Sequence, residues 1–159
     1  MKFYLAILVI LSVSFSIYSC SSDSGTNTTP AENKGSVVLT GDTSATIVSL
    51  AGQIINSSPS NEFTTLQFYN TEGTNITSVV IRFKDYDSDD KIFDLSRDNN
   101  FASVSFLNGA ISYQAYSGTL NITERATKRI KATFNFKAKK IGDSSKEIDV
   151  QNGLFDFAL

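Results

Sequence analysis

The densest run of carboxylates in this chain is Asp85-Tyr86-Asp87-Ser88-Asp89-Asp90, followed by Asp94 and Asp98. Calcium is a hard cation that takes several oxygen ligands, and loops offer them from alternate positions. Asp85, Asp87, Asp89 and Asp90 are therefore a candidate calcium site. An EF-hand loop needs Gly at its sixth position and Glu at its twelfth. Here those positions hold Asp90 and Ser96, so any calcium loop is of another type. Aspartate is also a common turn former. A polar hairpin turn between two strands accounts for the same residues and is the preferred reading.

A second group is cationic. Arg125, Lys128, Arg129, Lys131, Lys137, Lys139, Lys140 and Lys146 crowd the C-terminal third. Alternation along a strand places Arg129, Lys131, Lys137 and Lys139 on one face. Such a face is a candidate surface for acidic polysaccharide, lipopolysaccharide phosphate or an acidic partner. The competing account is a solvated strand whose lysines discourage edge-to-edge pairing. A third group, Tyr69, Tyr86, Tyr113 and Tyr116, offers rings for stacking on sugars. Tyr113 and Tyr116 are three residues apart and face opposite sides of a strand. With no tryptophan in the chain, tyrosines that fill a rim are the simpler expectation.

The chain contains no histidine. That removes Ser-His-Asp and Cys-His catalysis, the usual zinc sites and histidine-ligated haem. Paired carboxylates remain as the chemistry of a small hydrolase, and Glu124 with Asp149, on strands expected to neighbour each other, is the one pair the sequence offers. No residue is assigned a catalytic role and no cofactor is required.

The elements that must carry these groups begin after an unusual start. Met1-Lys2 precedes an apolar run from Phe3 to Ile17, and Tyr18-Ser19-Cys20 follows. A positive residue, a short apolar core and small residues form an export signal. The run falls short of the about 20 residues that span a bilayer. Ile17-Tyr18-Ser19-Cys20 resembles the lipobox of bacterial lipoproteins. The resemblance implies cleavage before Cys20, a thioether-linked diacylglycerol on its sulfur, and acylation of the new amine. Two or three chains hold a protein stably at a membrane, where one does not. Cys20 is the only cysteine, so no disulfide forms. Ser21 stands where an inner-membrane retention signal places Asp, which by the same resemblance favours the outer membrane of the cell envelope.

Residues 20–35 are polar, small and nearly uncharged, and they read as a flexible tether. Residues 36–159 suffice for one domain with a core and not for two. Without the leader and its Lys2 the chain keeps 13 basic and 16 acidic residues, a net charge of −3. That balance gives no reason to expect nucleic-acid binding.

No stretch sustains a helical period, and several alternate with period two. Strands are expected near 36–40, 45–55, 63–69, 76–84, 91–95, 101–106, 111–116, 118–125, 129–139 and 147–158. In the last of these the buried parity changes from Ile148 and Val150 to Phe155, Phe157 and Leu159. Asn152-Gly153 sits at the change, which reads as a β-bulge; a hairpin there is the alternative, though it leaves two very short arms. An all-β, antiparallel sandwich of jelly-roll or immunoglobulin type is the first expectation, and a closed antiparallel barrel is the alternative.

Three segments carry a further resemblance: Gly118-Thr119-Leu120-Asn121-Ile122-Thr123-Glu124, Arg129 to Phe136, and Ile148 to Asp156. Together they are similar to the last strands of small uncharacterised Bacteroidota lipoproteins with a C-terminal domain of unknown function. Ala132 stands where those proteins often have Gly. The resemblance implies an envelope location and a β domain, and no catalytic residues. The expected role is that of a lipid-anchored structural or interaction protein. Calcium- or carbohydrate-dependent recognition and a small carboxylate-dependent hydrolase are the alternatives.

Overall fold

A computed structural model describes residues 33–49, 51–57, 63–84, 91–96, 99–126 and 129–158. Ten strands form one antiparallel sheet. They are β1 (Lys34–Gly41), β2 (Ala45–Ser49), β3 (Ala51–Ser57), β4 (Phe63–Glu72), β5 (Asn75–Lys84), β6 (Ile92–Asp94), β7 (Phe101–Phe106), β8 (Ile111–Ala126), β9 (Arg129–Lys140) and β10 (Asp143–Ala158). The all-β expectation holds. Of the two architectures expected, the sheet takes the barrel, nearly closed, because β10 pairs with both β9 and β1 and so joins all ten strands in one sheet.

The staves are longer than the strands. β6 and β7 both pair with β8, at Thr119–Asn121 and at Ile111–Gln114, so they run end to end. β2 and β3 also run end to end, the first on β1 and the second on β4. Ten strands thus make eight staves, each bonded to its sequence neighbour. The hydrogen-bond order ends at β2 and β3, and the chain itself bridges those two edges. Ser49 fastens this seam: its hydroxyl donates to the carbonyl of Tyr69 on β4, and it accepts from Ala51 N–H at 3.0 Å.

Alternation explains the packing. Val37 and Leu39 of β1, Leu66 and Phe68 of β4, Val79, Ile81 and Phe83 of β5 and all even residues from Ile130 to Ala138 of β9 point inward and are buried. The buried hydrophobic residues of this core are each at most 7% exposed, and the half-buried Ala45, Ile54, Phe106, Ile111 and Ala115 pack against them, so side chains fill the barrel. Phe68, Phe134 and Phe136 are consecutive ring neighbours, with centroids 6.3 and 6.1 Å apart.

Two departures from strict alternation matter. β10 shifts register between Val150 and Gly153, and Asn152 adopts φ 52°, as the parity change at Asn152-Gly153 foretold. β8 also shifts, between Ala115 and Ser117. The strands expected at 111–116 and 118–125 are therefore one bulged strand. Gly118 keeps the chain extended at φ +142°, a value that side chains rarely allow. The strand expected at 45–55 is instead divided between β2 and β3. β1 begins at Lys34, so the last two residues of the expected tether belong to the sheet.

Strand direction gives the barrel two unlike ends. The turns after β1, β4, β7 and β9 lie at one end. There a belt of hydrogen bonds ties the turns: Asn108 donates to Thr74 C=O at 3.1 Å and accepts from Ile76 N–H at 2.9 Å, and Ile141 N–H donates to Ser112 C=O at 2.8 Å. The chain enters at the opposite end, where the Asn33 carboxamide accepts from Ala158 N–H at 2.8 Å.

Candidate functional site

The sequence placed Arg129, Lys131, Lys137 and Lys139 on one face, and β9 does turn them all to the outer wall. β10 brings carboxylates beside them. Asp156 pairs with Arg129 and lies 3.5 Å from Lys131. Asp149 sits opposite Lys137 in the ladder. Glu147 lies 3.4 Å from Lys139 and accepts from the Tyr116 hydroxyl at 3.0 Å, while Lys139 also rests 4.9 Å from the Tyr116 ring centre. The wall is thus a mixed lattice of cations and carboxylates. An anion must compete with these carboxylates, which the one-strand reading did not foresee.

Asp85, Asp87, Asp89 and Asp90 lie outside the described residues, as do Cys20 and Tyr86. Among the described residues no cluster of three metal-ligating side chains occurs. Glu124 and Asp149 do not meet. They sit opposite Lys131 and Lys137 of β9, six residues or about 20 Å apart along the strand. Tyr113 and Tyr116 face opposite sides as expected. Tyr113 is buried in the barrel, and Tyr116 stands on the wall.

At the belted end the fold assembles a cluster that the sequence did not suggest. Asp42, in the turn after β1, accepts from the Tyr113 hydroxyl at 2.6 Å and from Lys146 Nζ at 2.8 Å. Its own N–H donates to Glu147 C=O at 2.8 Å. The hydrogen bond from Lys146, and then that from Tyr113, hold the Asp42 carboxyl below its ordinary 3.8. Burial, reinforced by Asp42, pushes the Tyr113 phenol above its ordinary 10.0. The hydrogen bond to Asp42 raises Lys146 above 10.5. Each shift carries its group away from neutrality, whereas proton transfer needs groups poised near it. The cluster is a clasp joining three staves.

Tyr113→Phe should therefore weaken the fold by about 1.5 kcal/mol at pH 7, the worth of a hydrogen bond to a charged group. Urea unfolding at several pH values measures it. A carboxyl with a lowered folded pKa stabilises above its unfolded value and loses that contribution as pH falls through the folded one. The gap between the two proteins should therefore narrow below pH 3.8. A gap that stays constant down to pH 2 would show that Asp42 is not the partner that matters.

The bulge in β10 creates a third feature. Val150 opposes Phe136 and Gly153 opposes Phe134, so Asn135 faces both Gln151 and Asn152. The extra residue spreads the wall into an open depression of about 510 Å³, lined by Thr133, Asn135, Gln151, Asn152 and Leu154. A Cβ on Gly153 would collide with the Phe134 ring, which lies beneath this floor.

No protein family, curated protein or solved structure matches this chain.

Proposed function

We propose that this chain is a lipid-anchored protein of the bacterial cell envelope, held on the outer membrane through Cys20, with a non-catalytic structural or interaction role. The observation that carries the reading is the apolar run from Phe3 to Ile17 ending in Ile17-Tyr18-Ser19-Cys20. The barrel supports it in two ways. Its interior is filled with side chains, so recognition belongs to its wall and its ends. The chain from Cys20 reaches the barrel at Asn33, opposite the belted end, so an anchor there leaves the belted turns outermost. The twelve residues between Cys20 and Asn33, thirteen Cα-to-Cα steps in all, reach at most about 45 Å. That span is enough to present the whole wall to neighbours in the envelope. The C-terminal resemblance to Bacteroidota lipoproteins points the same way.

Intact mass spectrometry tests the anchor. The chain expressed in a lipoprotein-processing bacterium should have the mass of residues 20–159 plus two or three acyl chains. A Cys20→Ala variant should lack them and leave the membrane fraction. A mature chain that carries no acyl group would end the anchored reading.

A further inference from the structure

The geometry points to the depression at the β10 bulge as a binding site for neutral glycans, through the side chains of Asn135, Gln151, Asn152 and Thr133. Several charged groups of the surrounding wall are engaged with one another, as in the pairs Arg129–Asp156 and Lys139–Glu147. Among the described residues the side chains of Asn135, Asn152 and Thr133 have no hydrogen-bond partner, and Gln151 uses one amide hydrogen on Asp149 at 2.9 Å.

Three carboxamides and a hydroxyl therefore converge on one concavity without a charge among its lining residues. A carboxamide offers donors and acceptors side by side, and so does each hydroxyl of a sugar. Adjacent sugar hydroxyls can bridge such amides in pairs. An anion would find acceptors here as often as donors. The half-buried Leu154 supplies the apolar patch on which a sugar's C–H face can rest. Bulges re-aim side chains beside functional sites. Here the bulge turns Asn152 outward in a left-handed conformation that few residues adopt. The tyrosines considered from the sequence are not part of this site, and the anchor plays no part in it.

The test uses the mature chain as a lipoprotein-processing bacterium yields it, acylated or not, in a zwitterionic detergent without sugar headgroups. Saturation-transfer NMR is recorded with maltohexaose, laminarihexaose, cellohexaose and, as the charged counterpart, hexagalacturonate. At least one neutral hexaose should receive saturation from the protein. Asn152→Gly suits the left-handed backbone while deleting the amide, and Asn135→Thr keeps a strand-forming residue. Each should weaken binding about fivefold, the worth of one net hydrogen bond, at an unchanged melting temperature. Three outcomes overturn the proposal: no transfer to any neutral hexaose, equal transfer in the variants, or a preference for hexagalacturonate that Lys137→Gln removes.

Discussion

Gly118→Ala should melt roughly 15 °C below the parent chain. Two costs combine. The residue sits at φ +142°, where a side chain strains the backbone by about 2 kcal/mol. The added Cβ would also press on the carbonyl oxygen of Asn135 and on Cα and Cβ of Phe136. These atoms belong to the main chain of β9 or are fixed to it, in a ladder that spans most of β8. They yield only if the strands part, so overpacking adds about 2 kcal/mol. Gly73→Ala is the control. It has φ +61° with nothing within 4 Å of the added carbon, so only about 1 kcal/mol of strain applies. Differential scanning calorimetry of both variants decides the matter. Equal drops in melting temperature would show that the approach of β9 to Gly118 contributes nothing.

Phe134→Ala should cost about 4 kcal/mol, measured as a lower urea midpoint at constant slope. Phe134 is 3% exposed and lies between Phe68 and Phe136. Its ring also covers Gly153, so deletion opens a void against the bulge as well as in the core. The void has stiff walls, since strands on both sides are fixed by ladders, and collapse recovers little. Phe134→Leu keeps most of the volume and should cost about 1.5 kcal/mol or less. A midpoint for Phe134→Ala that matches the leucine variant would mean that the ring packs more loosely than its neighbours imply.

Local pattern carried much of this fold. The inward residues Ile130, Phe134 and Phe136 were legible because a half-buried strand writes its burial into every second position. The bulge at Asn152 was legible for the same reason, as a break in that rhythm beside a glycine. The bulge in β8 was not. Ser117-Gly118 looks like a strand end, and only pairing with β9 across the whole segment shows that the strand continues. The choice of barrel over sandwich was equally hidden, because it depends on β10 meeting β1, and no local signal encodes that meeting. The site features divide in the same way. Alternation put Lys131, Lys137 and Lys139 on one face, but their carboxylate neighbours arrive from β10 in a register that the sequence does not announce. Asp42, Tyr113 and Lys146 are far apart in the chain, so their clasp left no motif. Asn135 meets Gln151 and Asn152 only because one strand carries an extra residue.

The way the barrel closes also sets the order in which it can assemble. All but one of its ladders join staves that follow each other along the chain, and such contacts form quickly because little loop entropy opposes them. The exception is β1 with β10, whose partners Lys34 and Asp156 lie more than a hundred residues apart. A chain that emerges from its N-terminus can zip its first staves one by one, yet it cannot become a ring before β10 arrives. Until then β1 and β9 each keep an open edge, the kind of template on which extended chains associate. Ring closure is therefore the step expected to be slowest, and the interval before it is when the chain should be most exposed to association with its own copies.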